Sequence, residues 1–191
     1  PASTGMVRLN GLDISTWPAW KRGKSGIGRT FQRTNVMQDM TVLENARLSA
    51  QGRSSIGLLK SALDQGLTQS ALTALDRTGL AGQHGANADA LSHGEGRLLE
   101  IAMALAGAPT VLLLDEPLAG LGPEEIASVA GLLRDLARDH AVLLIEHDMD
   151  VVFAVADVIT VMVDGRILAS GTPEQIRASA AVRDAYLGHG V

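Results

Sequence analysis

The sequence contains no cysteine, which excludes a disulfide framework and any metal site built from thiolates. Aromatic residues make up only 3% of the chain, so a core has to be built from Leu, Val, Ile and Ala. No run approaches the roughly 18 apolar residues that span a bilayer, and the N-terminus lacks the basic flank and apolar stretch of a secretory signal. We therefore expect a cytosolic chain that reaches any membrane through a partner.

An excess of positive charge is also lacking. Lys and Arg number 16 against 21 Asp and Glu, a formal net charge of -5, which argues against general binding to nucleic acid backbones. One basic, partly aromatic cluster could suggest nucleic acid, but we interpret it as a solvated surface; its members are Trp17, Trp20, Lys21, Arg22, Lys24, Arg29 and Arg33. With 191 residues, 46% of them apolar, the chain suits one globular domain or two small lobes that share a core.

The first half of the chain has the pattern of a strand followed by helices. Residues 26–32 combine small and β-forming side chains, which predicts a strand that leads into a loop. Thr41 and Glu44 have the spacing of a capping box, which predicts that a helix begins there. Apolar side chains recur at helical spacing over 51–90 and again over 92–106, so this part of the chain is predicted to be a helical lobe.

The second half alternates apolar strands with helices. Residues 111–115, 141–146 and 158–163 are continuous apolar runs, and the segments 123–138 and 148–156 between them have helical patterns. Such alternation predicts a parallel sheet that is buried on both faces.

Acidic residues follow two of these strands. Asp115 and Glu116 end the first, and Glu146 and His147 end the second. Ligands of open α/β sheets bind outside the carboxyl ends of the strands, and paired carboxylates there suit Mg²⁺ with a nucleoside triphosphate. Each acid taken alone could instead cap a strand end for solubility. The combination favours a nucleotide site.

Five motifs, in this order along the chain, resemble those of the nucleotide-binding subunits of ABC transporters. They are 31–32 (FQ) for the Q-loop, 91–95 (LSHGE) for the signature, 111–117 (VLLLDEP) for the Walker B strand with its glutamate, 118–123 (LAGLGP) for the D-loop and 145–147 (IEH) for the switch histidine. Other stretches resemble the ATPase subunits of branched-chain amino acid importers, namely 28–32 (GRTFQ), 43–45 (LEN), 99–102 (LEIA), 145–149 (IEHDM) and 171–174 (GTPE).

This resemblance implies the fold and the domain organisation. We expect an α/β protein with a P-loop NTPase (RecA-like) core, an inserted α-helical subdomain and a missing N-terminal portion. Residues 1–32 are then the remainder of the N-terminal core up to the Q-loop, and 33–106 are the helical subdomain ending in the signature helix. Residues 107–191 form the second half of the ATPase core with Walker B, D-loop and switch histidine.

The resemblance also implies catalytic roles. Glu116 polarises the attacking water, Asp115 holds Mg²⁺, Gln32 senses metal and water, and His147 contacts the γ-phosphate of ATP. The implied activity is ATP hydrolysis coupled to the uptake of branched-chain or other amino acids.

The signature implies a dimer. Ser92, Gly94 and Glu95 are expected to bind the ATP held by a second ATPase subunit, identical or different, because a helix start is an anion site. The further partners implied are transmembrane permease subunits and, indirectly, a substrate-binding protein, which places the chain at the cytoplasmic face of the cell membrane. The apolar residues after the Q-loop are expected to line the groove that receives the permease; they are Val36, Met37, Met40 and Val42.

The departures from the family pattern are equally specific. The Walker A loop, G-x-x-x-x-G-K-[ST], is not found in these residues and is expected upstream of Pro1. The nearest substitute, 23–25 (GKS), has Pro18 in place of the first glycine and no apolar strand before it, so we interpret it as a surface turn. The alternative function is therefore a truncated, non-catalytic fragment that cannot bind ATP alone. His93 and Gly122 also depart from the usual signature and D-loop residues.

Overall fold

The computed structural model of the chain describes residues 4–30, 35–53 and 64–187. The chain divides into two compact units, of which the first ends at Ile145 and the second begins at Glu146. Within the described ranges, no helix combines the length and the apolar character needed to cross a membrane.

The first unit begins with a small hairpin and a short helix. β1 (Arg8–Leu9) and β2 (Leu12–Asp13) pair antiparallel, and Asn10 and Gly11 in the turn between them both have positive φ. A two-residue turn of this kind matches the twist of the strands it joins. The helix that follows, α1 (Ala19–Lys24), carries basic side chains in its last turn, where the helix dipole favours them.

A three-stranded parallel sheet forms the centre of the first unit. Its order is β3 (Ile27–Arg29), β4 (Val111–Asp115) and β5 (Ala141–Ile145). The central strand β4 buries Leu112 and Leu114 almost completely, as its continuous apolar run predicts. Because the strands are parallel, their carboxyl ends lie at one edge of the sheet.

The prediction that the sheet is buried on both faces is wrong for β5. Leu143 and Ile145 are 58% and 55% exposed, whereas the alternate residues Val142 and Leu144 are half-buried. β5 is the edge strand of the described sheet, so one set of its alternating side chains faces solvent.

Three helices, α2 (Val42–Arg53), α3 (Gln65–Arg77) and α4 (His93–Ala106), pack against one another. Their shared core is small and aliphatic, as the low aromatic content requires; it includes Ala46, Ala74, Leu75, Leu99 and Ala102. A polar side chain caps the start of each of these helices. The predicted capping box of Thr41 with Glu44 at α2 is confirmed. Asp64 caps α3, and Ser92 with Glu95 caps α4.

Helix α4 lies directly on β3, and Gly28 makes this close approach possible. A Cβ at Gly28 would lie 2.8 Å from the Ala104 carbonyl oxygen and 3.2 Å from the Pro109 Cβ. A larger residue would therefore push α4 away from the sheet.

Helix α5 (Pro123–Leu136) connects β4 to β5. Its proline occupies the first turn, where a missing amide hydrogen costs nothing. The side chains of Val129, Leu133 and Leu136 are buried along one face, as helical spacing requires.

The second unit contains α6 (Met149–Val155), β6 (Ile159–Val163), β7 (Arg166–Gly171), α7 (Pro173–Ala178) and α8 (Ala180–Leu187). Its core joins the strands to the last helices through Ile159, Val161, Ile176 and Val182.

The strand predicted over 158–163 is present as β6, but its partner is the antiparallel strand β7 rather than a parallel neighbour. Asp164 and Gly165 both have positive φ in the turn between the two strands, which is the geometry of a tight antiparallel hairpin. The expectation of a parallel arrangement at this strand is therefore wrong, because the turn residues decide the pairing.

Candidate functional site

Asp115 ends β4 beside the end of β3. Its backbone amide donates to Thr30 Oγ1 at 3.3 Å, and its carboxylate Oδ2 lies 3.7 Å from Arg29 Nη2. The Asp115 side chain keeps 21% of its surface exposed. A carboxylate is therefore held at the strand edge with part of its surface open to a ligand.

Glu116 follows with a backbone conformation that is unusual for a residue with a side chain. Its φ is 48°, in the left-handed region, which costs roughly 1–2 kcal/mol for an L-residue. Two hydrogen bonds hold this turn: the Glu116 amide donates to the Ile145 carbonyl at 2.9 Å, and the Glu116 carbonyl accepts from the Ala119 amide at 3.2 Å. The chain turns sharply where the sheet ends, directly after the Asp115 carboxylate.

Gln32, the predicted Q-loop residue, lies outside the described residues. The strand that leads to it is described up to Thr30, whose amide donates to the Leu113 carbonyl at 3.0 Å. The described chain before Gln32 therefore ends beside β4, next to Asp115.

The carboxylate of Asp115 fits Mg²⁺ chemically. Mg²⁺ is commonly held by one or two carboxylates together with the phosphates of a substrate and water, rather than by a complete protein cage. Over the described ranges, no group of three or more His, Asp or Glu side chains comes together as a metal site. Asp115 is a partly exposed carboxylate of the kind that Mg²⁺ uses.

The start of α4 is a complete capping box. Ser92 Oγ accepts from the Glu95 amide at 3.2 Å, and Glu95 Oε2 accepts from the Ser92 amide at 2.8 Å. The Gln83 side chain also donates to Glu95, and this bond, followed by those of Ser92, lowers the pKa of the Glu95 carboxyl. The Ser92 hydroxyl is one of the groups that lower this pKa, so its hydrogen is directed to the Glu95 carboxylate within the capping box.

His93, in the signature, and Gly122, in the D-loop, depart from the family pattern. Each of them lies close to the motif that contains the other. His93 contacts the backbone of the D-loop, and Gly122 stands at the start of α5, where Glu125 accepts from its amide at 2.8 Å. Glu125 was not predicted as a site residue; the spacing of Gly122, Pro123 and Glu125 is the signal that could have indicated it.

His147 belongs to the second unit. Its side chain is 77% exposed, and its Nδ1 lies 3.9 Å from Glu146 Oε2, whose own side chain is only 1% exposed. Asp148, the next acid, caps α6 by accepting from the Asp150 amide at 3.0 Å. Glu146 therefore lies beneath an imidazole that solvent reaches, and Asp148 has a structural role.

In the segment Gly23-Lys24-Ser25, which we expected to be a surface turn, Gly23 and Lys24 are the last residues of α1 and the turn begins only at Ser25. Phosphate loops precede a helix and use its N-terminus, whereas the C-terminus of a helix disfavours anions. The neighbouring basic side chains stack on the tryptophans, with Lys21 Nζ 4.0 Å from the Trp17 ring. The segment lacks the geometry of a phosphate site.

The loop before α2 presents two methionines. Met37 and Met40 are 49% and 38% exposed, as predicted for an interface. Val42, which we expected in the same patch, is fully buried, because it is the first residue of α2 and faces the helical core. We did not predict from the sequence that Asn45 holds this loop through hydrogen bonds to Met37. Asn45 lies in a polar stretch of α2, which gives no indication that it is buried.

A cavity of about 230 Å³ lies beside this loop, between β3, α2 and α4. Glu100 in its wall is buried and pairs with Arg97 Nη1 at 2.9 Å, and it also accepts from the Asn35 amide at 3.3 Å. Arg53 lines the same cavity, and its Nε and Nη1 are buried without a hydrogen-bond partner in the described part of the chain. Burial lowers the pKa of Arg53. An acceptor brought into the cavity would satisfy this guanidinium.

Comparison with known proteins identifies the family of the chain. A family model described as ABC transporter matches residues 1–119, and one described as Branched-chain amino acid ATP-binding cassette transporter matches residues 166–191. The fold and the site define an ATPase cassette of the P-loop NTPase class, and the chain belongs to the ABC transporter ATP-binding family.

Particular relatives are similar over most of the chain. The high-affinity branched-chain amino acid transport ATP-binding protein BraF of Pseudomonas aeruginosa is 38% identical, and LivG of Escherichia coli K12 is 36% identical; in both cases 96% of this chain and 76% of the relative are covered. The crystal structure of the ADP conformation of MJ1267, an ATP-binding cassette of an ABC transporter, superposes with a TM-score of 0.83 at 28% identity, covering 98% of this chain and 78% of that one.

Proposed function

We propose that this chain is the ATP-binding and ATP-hydrolysing subunit of an ABC importer for branched-chain or other amino acids. The observation that carries the proposal is the pair of consecutive carboxylates, Asp115 and Glu116, at the carboxyl edge of a parallel sheet. The names of BraF and LivG, which refer to branched-chain amino acid transport, support the substrate class.

In the proposed mechanism Glu116 accepts a hydrogen bond from the attacking water and orients it toward the γ-phosphate of ATP. Its left-handed backbone, held by the bond to Ile145, keeps the carboxylate at a fixed place beyond the strand. Mg²⁺ held by Asp115 would neutralise phosphate charge. Gln32 senses metal and water, and His147, with an exposed imidazole, donates to the γ-phosphate.

The proposal includes a second ATPase subunit, identical or different. Ser92 and Gly94 lie at the start of α4, where the backbone amides and the helix dipole suit a phosphate. Glu95 holds Ser92 in place through the capping box. We infer that this helix start binds the ATP carried by the other subunit.

The methionine patch, formed by Met37 and Met40, is proposed to dock a transmembrane permease subunit. Exposed apolar side chains on an ordered loop commonly mark an interface. In the neighbouring cavity, Arg53 Nε and Nη1 have no hydrogen-bond partner among the described residues, which supports a partner that brings an acceptor. A substrate-binding protein acts only through the permease, and the chain works at the cytoplasmic face of the membrane.

The proposal also includes the domain division into residues 1–32, 33–106 and 107–191.

The test is Glu116→Gln in the purified transporter. The amide keeps the shape of the side chain but removes the charge that orients water, so ATP turnover should fall about 100-fold or more while ATP still binds. Glu124→Gln, at an exposed acid in the first turn of α5, is the matched control and should leave turnover unchanged. Near wild-type turnover in Glu116→Gln would show that Glu116 has no catalytic role and is only an acidic residue after the end of a strand.

The second candidate is a non-catalytic role for a polypeptide that consists only of these residues, in which Gly23-Lys24-Ser25 ends a helix and no G-x-x-x-x-G-K-[ST] loop occurs. A polypeptide of only these residues should therefore bind MgATP very weakly. Calorimetry measures this binding. A micromolar dissociation constant for MgATP would contradict the expectation of very weak binding.

A further inference from the structure

The side chain of His93 joins the start of α4 to the D-loop. Its Nε2 lies 3.3 Å from the carbonyl oxygen of Ala119, which is 26 residues away in sequence. The same nitrogen would lie 2.9 Å from a Cβ at Gly120, and Gly120 has a φ of 79°. The absence of a side chain at Gly120 therefore lets the imidazole lie against the loop backbone.

A second side chain makes a parallel connection. Glu125 Oε2 accepts from the Gly122 amide at 2.8 Å, which caps α5 where glycine offers no side chain of its own. A Cβ at Gly94 would collide with the other oxygen of the same carboxylate. The start of α4 thus makes two contacts with the D-loop region. His93 contacts Ala119, and Gly94 lies against Glu125.

We propose that His93 is a positioning residue that holds the D-loop, residues 118–123, against the nucleotide-binding start of α4, so that the two act as one rigid element. This inference rests on the proposed function. The D-loop continues from Glu116, whose carbonyl accepts from the Ala119 amide at 3.2 Å. A group that fixes Ala119 therefore also limits the freedom of the turn that carries Glu116.

The physical gain is preorganisation. Ser92 and Gly94 face a phosphate only if the helix start is fixed, and Glu116 orients water only if its turn is fixed. A contact that lets both share one geometry lowers the conformational entropy lost when ATP is enclosed. We expect the effect mainly in the chemical step, because neither His93 nor Ala119 needs to touch ATP for it.

Two variants separate the hydrogen bond from packing. His93→Leu keeps volume but removes the donor, whereas His93→Gln keeps a donor. In the purified transporter His93→Leu should lower kcat about five-fold, the factor expected for one net hydrogen bond, with less change in KM for ATP, and His93→Gln should recover most of the loss. Since His93 is exposed, the thermal midpoint should stay within about 2 °C of the wild type.

A readout without ATP tests the same contact. The amides of Ala119 and Leu121 donate within the loop, to Glu116 and Leu118, so hydrogen exchange at these amides should accelerate in His93→Leu and not in His93→Gln. His84→Leu is the control, because the exposed imidazole of His84 contacts the nearby Ala81 carbonyl at 2.9 Å, outside the D-loop.

Hydrogen exchange and kcat together decide whether His93 is a positioning residue. Unchanged exchange in His93→Leu overturns the proposal, even if kcat falls, because His93 would then act by another route. Faster exchange with unchanged kcat also overturns it as a positioning role. A wild-type transporter that does not hydrolyse ATP would instead contradict the proposed function, and the exchange measurement would still report whether His93 holds the loop.

Discussion

The side chain of Asn45 holds the peptide groups of Met37 from inside the protein. Asn45 Oδ1 accepts from the Met37 amide at 2.8 Å, and Asn45 Nδ2 donates to the Met37 carbonyl at 3.0 Å. The same Nδ2 donates to the Thr41 carbonyl at 3.0 Å, and Asn45 is fully buried. A polar core residue therefore fixes the loop on which an exposed methionine stands.

Asn45→Ala should destabilise the protein. The substitution leaves the buried amide and carbonyl groups of the loop without partners, so the free energy of unfolding should fall by about 2–3 kcal/mol. Urea unfolding measures the change. Gln69→Ala, on the exposed side of α3, is the control and should stay within about 0.5 kcal/mol of the wild type. An equal loss in both variants would contradict the role assigned to Asn45.

Replacing Met37 and Met40 together by Asp should weaken assembly with the permease. Both side chains are exposed, so the isolated protein should fold normally, whereas two charges in an apolar contact should reduce co-purification by about ten-fold or more. Leu12→Asp, at another exposed apolar residue, is the matched control. A collapsed thermal transition would show that the methionines belong to the core. Unchanged co-purification with intact folding would place the interface elsewhere.

Glu95→Gln should change how stability depends on pH. The bond from Gln83, and then those from Ser92, lower the pKa of Glu95 below 4.5 in the folded protein, so the ionised carboxylate stabilises folding above that pH. This contribution is lost as the pH falls through the lowered pKa. Gln also fits a capping box but does not titrate. Thermal midpoints of wild type and Glu95→Gln should therefore differ most near about pH 7 and converge below pH 4.5.

A second variant assigns the cause of that pH dependence. Gln83→Leu removes the largest contribution to the lowered pKa, so the loss of stability in acid should be smaller than in the wild type and should be complete at a higher pH. If Glu95→Gln and wild type keep a constant difference down to pH 3, the lowered pKa of Glu95 does not contribute to folding.

Several features were predictable from the sequence because they depend on residues a few positions apart. The capping boxes of Thr41 with Glu44 and of Ser92 with Glu95 follow from a spacing of three residues, and both are present. The strand Val111–Asp115 follows from its uninterrupted apolar run, which only a buried position accommodates. The motif order that indicates the family is likewise contained in the linear sequence.

Tertiary structure decided which distant residues meet. The sequence does not indicate that Thr30 bonds Asp115, 85 residues away, or that His93 contacts Ala119, because such contacts depend on how strands and helices pack. It also does not separate buried Val42 from exposed Met40, since burial is determined by the helices that cover each side chain. Local hydrogen-bond rules act within about one helical turn, whereas burial and long-range contacts arise only once the chain has folded.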